Sequence, residues 1–114
     1  MRTMPYEFGD VVLVRFPFTN QAAFKQRPAV VISNRAYNVG RPDAVIMAIT
    51  SQMHSPLSLG DVPIADWQAA NLLKPSAIKP VFATIEQNLI IRNLGALQTA
   101  DQTALRKAIT AVLG

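Results

Sequence analysis

Runs of apolar residues separated by polar punctuation dominate the first two thirds of the chain. Gly9-Asp10 is a turn signal, and residues 11–17 follow with the β-branched and aromatic content of a strand. Within it Val12, Val14 and Phe16 share one face, while Val11, Leu13 and Arg15 share the other. Residues 18–26 show no periodicity and read as a loop, with Phe24 and Lys25 making it a candidate flap or a plain surface loop. Next comes Arg27-Pro28-Ala29-Val30-Val31-Ile32-Ser33-Asn34. Proline lacks an N–H and favours an extended residue before it, so Pro28 fits the first position of a strand. Ala29 to Ile32 has no polar position, so that strand reads as buried on both faces.

The polar connection 34–43 holds at most one turn of helix, and residues 44–51 form a third strand ending in the hydroxyls Thr50 and Ser51. Residues 52–59 read as an exposed loop, and 60–64 as a short edge strand. Residues 66–73 read as one or two helical turns capped by Asp66, with Trp67 packing inward, until Lys74-Pro75-Ser76 breaks them. Residues 77–86 form a strand interrupted by Pro80, which implies an edge or a bulge near Lys79. The stretch 89–97 carries a basic position, Arg92, and a turn at Gly95. The clearest helix is last: Thr99-x-x-Gln102 has the form of a capping box, and Leu105, Ala108, Ile109, Val112 and Leu113 recur on one face. Short strands first and one amphipathic helix at the end predict a mainly β, α+β domain. Its expected form is a small antiparallel barrel flanked by residues 100–113.

Composition narrows the chemistry. The 114 residues suffice for one domain with one core, and 50% are hydrophobic, which excludes a disordered chain. Eleven Lys and Arg against seven Asp and Glu give a net charge of +4, which favours a polyanionic partner. With no cysteine, one histidine and scattered carboxylates, neither a disulfide framework nor a metal site is expected. No stretch has the length of a signal peptide or a membrane span, so a cytoplasmic protein without membrane contact is expected.

Arg27, held at the rim by the strand behind it, suits a phosphate, because its donor fork matches phosphate oxygens. The alternative is a rim arginine paired with a carboxylate. Thr50 and Ser51 either satisfy backbone groups at a strand end or hold a phosphate. His54 lies in a loop, where a lone histidine is more often solvated than catalytic.

Six segments occur in order: Gly9-Asp10-Val11-Val12-Leu13-Val14-x-Phe16-Pro17, Arg27-Pro28-Ala29-Val30-Val31-Ile32-Ser33, Ile49-Thr50-Ser51, Leu72-x-x-Pro75-Ser76, Thr84-Ile85-Glu86 and Leu94-Gly95-x-Leu97. Together they resemble the MazF/PemK family of bacterial toxin–antitoxin toxins, over nearly the whole chain. The resemblance implies a homodimeric SH3-like barrel that cleaves single-stranded RNA sequence-selectively without a metal or other cofactor. It also implies 2′-hydroxyl attack, a cyclic phosphate product, and inhibition by a cognate antitoxin with an acidic, disordered tail. The family's arginine falls on Arg27 and its threonine on Thr50. Where the PemK branch carries an arginine and, two residues on, an aspartate, this chain has Lys79 and Val81. The general base is therefore unassigned.

On this footing Arg27 is an electrostatic clamp, Thr50 a hydrogen-bond donor and Lys79 a general acid whose pKa nearby cations lower. Lys25, Gln26, Asn34, Ser51, Gln52 and His54 are the expected RNA-binding positions. An acidic peptide is expected to compete with RNA over Lys25, Arg27 and Lys79. The alternative is a non-enzymatic toxin or binding module on the same barrel, similar to a gyrase poison.

Overall fold

The computed structural model describes residues 5–16, 25–53 and 55–114. Residues 18–24 of the expected loop over 18–26, and His54, lie outside the described residues, whereas Lys25 and Gln26 belong to a strand and not to a loop.

The backbone follows the apolar pattern. The strands are β1 (Asp10–Phe16), β2 (Lys25–Val31), β3 (Asp43–Thr50), β4 (Val62–Pro63), β5 (Ala77–Glu86) and β6 (Ile90–Ala96). Helix α1 (Arg35–Gly40) lies between β2 and β3, and α2 (Thr99–Leu113) closes the chain. The strands form one six-stranded sheet in the order β4-β5-β3-β2-β1-β6, with every pairing antiparallel. This is the mainly β architecture with a C-terminal helix that the pattern predicts. The barrel is open, however: β4 and β6 end the series and do not pair. β4 is only two residues long, too short a ladder to close the sheet.

Period-two alternation divides the apolar residues between two cores. One buries Val11, Val30, Met47, Ile49, Ile78 and Leu105, with Ile109 of α2 and Trp67 packed against it. The other buries Val12, Val14, Ala29, Val31, Ile46 and Ile85. Ala29 to Val31 feeds both cores, hence its unbroken apolar run.

Long-range contacts changed several boundaries. β5 runs unbroken through Pro80, but its pairing with β3 shifts between Met47↔Phe82 and Ile49↔Ile78. The expected irregularity near Lys79 is therefore a bulge. β4 pairs only with Ala77 and Ile78, so beyond them Pro80, which has no N–H to donate, faces no partner on that side. Residues 65–71 make successive turns but no helix. The Asn71 N–H bonds back to the Gln68 carbonyl at 3.0 Å, and its left-handed φ of 62° ends the segment. Gly95 sits within β6, not at a turn. The capping box is not formed: Gln98 is the N-cap without a side-chain bond, and the Gln102 amide donates instead to the Leu97 carbonyl at 3.0 Å. On α2, Leu105 is fully buried and Ile109 half-buried, while Val112 lies beyond the edge of the core and is 38% exposed.

Candidate nucleic-acid interface

The β2–β3 ladder determines which side chains meet. Ala29 pairs with Ala48, Val30 with Met47 and Val31 with Ile46. Arg27 and Thr50 each lie two residues beyond the Ala29–Ala48 pair, on adjacent strands. Pro28, between Arg27 and Ala29, has no N–H for the ladder, and the paired stretch ends at Ala29. A guanidinium and a hydroxyl thus share the frayed rim of a rigid sheet.

That rim borders a cleft of about 550 Å³. Gln26 and Arg27 of β2, Thr50 at the end of β3, and Ser51 and Gln52 after it line the cleft, together with Asn71, Lys74 and Ser76, and with Arg92 of β6. Among the described residues three cations line it and no carboxylate does. Among the described residues none of the three forms an ion pair. The carboxylate-paired alternative for Arg27 thus finds no partner among the described residues. A concave surface with uncompensated positive charge attracts and concentrates anions.

Thr50 joins both roles that a terminal hydroxyl can take. Its Oγ1 accepts the Gln52 N–H at 3.0 Å, which orients the hydroxyl. An oxygen that accepts from the backbone still has its own hydrogen to donate. Arg27 offers five N–H donors in a planar fork.

The remaining expected positions are dispersed. Lys79 is not among the cleft residues; its Nζ lies 3.9 Å from Oδ1 of Asp61, whose side chain is only 6% exposed. Antiparallel pairing explains this contact, because Val62 stands opposite Ile78 and so brings Asp61 beside Lys79. Val81 is half-exposed. Asn34 lies past the opposite end of β2 and caps α1, its Oδ1 accepting the Tyr37 N–H at 2.9 Å. Lys25 opens β2, but its side chain, like His54, is outside the described set.

Sequence reasoning passed over Lys74 and Asn71, and it noted Arg92 only as basic. Lys74 belongs to the Lys74-Pro75-Ser76 stretch expected to break a helix, and Lys74 and Ser76 of that stretch line the cleft. Ser76 is buried and its hydroxyl donates to the Lys74 carbonyl at 2.9 Å. Among the described residues, no group of three or more His, Cys, Asp or Glu could hold a metal ion. Nor is any described helix long and apolar enough to cross a membrane.

The fold and cleft define a small antiparallel β protein, backed by a C-terminal helix, with a cation-lined cleft at a strand-end rim. The chain belongs to the PemK-like, MazF-like toxins of type II toxin–antitoxin systems, whose family model matches residues 7–113. No curated protein sequence matches it significantly. Solved structures share its fold at low identity. The MazE–MazF complex of Deinococcus radiodurans has a TM-score of 0.77 at 19% identity, over 98% of this chain and 98% of that one. A mycobacterial endoribonuclease in complex with its cognate antitoxin has a TM-score of 0.72 at 17% identity, over 96% of this chain and 95% of that one. The Mycobacterium tuberculosis toxin MazF-mt6 has a TM-score of 0.70 at 19% identity, over 88% of this chain and 91% of that one.

Proposed function

We propose that this toxin is a metal-independent, sequence-selective endoribonuclease that cleaves single-stranded RNA at the Arg27–Thr50 rim and so inhibits translation. The observation that carries this reading is the cleft itself: Arg27, Thr50 and Ser51 line it together with two further cations and no described carboxylate. Attack by the 2′-hydroxyl on the adjacent phosphorus forms one P–O bond as the bond to the 5′ oxygen breaks. Negative charge gathers on the phosphoryl oxygens between these events. Arg27 supplies charge and paired donors to those oxygens, and Thr50 and Ser51 supply hydroxyl donors. The 2′ proton leaves to a base, the 5′ oxygen takes up a proton, and the product end is a cyclic phosphate. No described residue of the cleft is a carboxylate or a histidine, so the base is not assigned to one of them. Lys79, engaged with Asp61 outside the cleft, is not given the acid role here.

The same charge favours an antitoxin segment that is acidic and extended. It would compete with RNA for Arg27, Lys74 and Arg92. A homodimer would extend the cleft across two copies. A second reading, a non-enzymatic toxin that uses the cleft only to bind, is favoured by the lack of a carboxylate there.

An RNA digest in EDTA separates the readings. Wild type is expected to cut and to leave a cyclic phosphate. Arg27→Ala, an exposed position, should fold normally and lose roughly a hundred- to a thousand-fold in rate, the usual cost of one transition-state donor. Lys79→Ala should lose far less. Binding without cleavage would establish the non-enzymatic reading, and chelator-sensitive cleavage would end the metal-free one.

A further inference from the structure

We propose that Lys74 and Arg92 form a second phosphate subsite, which grips the linkage next to the one cut at Arg27 and Thr50. This rests on the endoribonuclease reading for the word "next", though not for the subsite itself.

The sheet sets the spacing. Arg92 pairs with Leu13 and Leu13 pairs with Pro28, so β1 lies between Arg92 and the strand that bears Arg27. Neighbouring strands are about 4.8 Å apart, so the two arginine backbones are separated by about 10 Å across the sheet. Two guanidiniums starting that far apart suit neighbouring phosphates of one strand better than a single shared phosphate.

Lys74 and Arg92 line the same cleft, and a built contact ties the segments that carry them. The Asn71 amide donates to the Leu94 carbonyl at 2.6 Å, which ties the 71–74 lip to β6 two residues beyond Arg92. A left-handed φ of 62° suits asparagine at this corner. The close approach needs Gly95: a Cβ there would come within 3.0 Å of the Asn71 amide nitrogen and 3.1 Å of the Ala70 carbonyl oxygen. On the far side, the Ser76 hydroxyl holds the Lys74 carbonyl at 2.9 Å. The lip is thus fastened on both sides of Lys74. Leu73, 93% exposed on the same lip, offers an apolar ledge to the base between the two phosphates. Neither Lys74 nor Arg92 forms an ion pair with a described residue. Both charges are therefore available to a ligand.

The test uses a short single-stranded RNA with 2′-O-methyl sugars, which 2′-hydroxyl attack cannot cut. Its binding is followed by fluorescence anisotropy across a salt series. Lys74→Gln and Arg92→Gln should each weaken binding about tenfold and lower the salt slope by about 0.7, the loss of one phosphate contact on a single strand. A neutral methylphosphonate at the flanking linkage should weaken wild type but not the double variant. On cleavable RNA the variants should raise KM with kcat little changed. Variants with wild-type affinity and slope would overturn the proposal, as would a methylphosphonate penalty that persists in the double variant. A fall in kcat with KM unchanged would overturn it too, because it would place these residues in the chemistry. If wild type binds the strand with this pattern yet never cleaves RNA, the endoribonuclease reading fails and the subsite stands.

Discussion

Replacing Asp101 by alanine should destabilise the fold by about 3 kcal/mol, although this residue does not line the cleft. Asp101 sits in the first turn of α2 and is 3% exposed. Its two carboxylate oxygens accept the N–H groups of Ala65 and Asp66, each at 2.9 Å. These bonds fasten the start of the segment that continues through Trp67 to the cleft lip. A hydrogen bond to a charged group contributes about 1.5–3 kcal/mol. Ala65 and Asp66 are exposed, so water can reach the freed donors, and the lower figure applies to each. An acid in a first helical turn adds a few tenths of a kcal/mol through the helix dipole. A chain of 114 residues has an unfolding entropy of about 0.24 kcal/mol per kelvin, so about 3 kcal/mol lowers Tm by about 12 °C. Asp101→Asn keeps one acceptor but aims an amide N–H at the other donor, and should fall between the two. Thermal unfolding followed by circular dichroism, with a urea titration to check that m is unchanged, measures the effect. A loss under about 1 kcal/mol for the alanine variant would refute this account, because it would mean that two charge-assisted bonds hold nothing the helix packing does not already hold.

The other predictions concern charge and assembly. The Asp10 carboxyl has its pKa raised, chiefly by burial, against the backbone N–H of Glu7 that it accepts at 2.9 Å. The folded state therefore holds its proton to higher pH than the unfolded chain does, and stability falls as pH rises through that interval. Asp10→Asn should be more favourable relative to wild type at neutral pH than at acidic pH, as read from paired urea titrations. A relative gain that grows on acidification would contradict the sign. Sedimentation at micromolar concentration should give a dimer, whereas a monomer with full cleavage activity would refute a cleft shared between copies.

The strand pattern was legible because alternation and β-branched content act over a few residues, and both cores depend on that alternation. Three features were not legible, each for a reason of distance. The open edge of the sheet depends on how few residues β4 contributes, which local apolarity at Val62 and Ile64 cannot set. The Thr99-x-x-Gln102 pattern promised a capping box, but the Gln102 amide found the Leu97 carbonyl instead, one of two alternatives that a sequence cannot rank. Gly95 read as a turn because glycine usually marks one; its reason here is the Ala70 backbone and the Asn71 side chain pressed against β6.

The cleft divides along the same line. Arg27 and Thr50 could be singled out because each borders a visible apolar run, and adjacent antiparallel strands bring the borders of such runs together. Lys79 was expected beside them on resemblance to a motif whose second member is missing here. Without an acidic residue at Val81, its charge goes to Asp61, 18 positions away in the chain and adjacent through the β4–β5 pairing. Lys74 and Arg92 line one cleft from segments that the bond between Asn71 and Leu94 ties together and that nothing local in the sequence connects. Residues that border apolar runs therefore mark the proposed reacting centre, whereas those that surround it depend on turns and ties. Substitutions at Asn71, Ser76 or Gly95, none of them charged, should consequently alter how RNA is held without touching a phosphate.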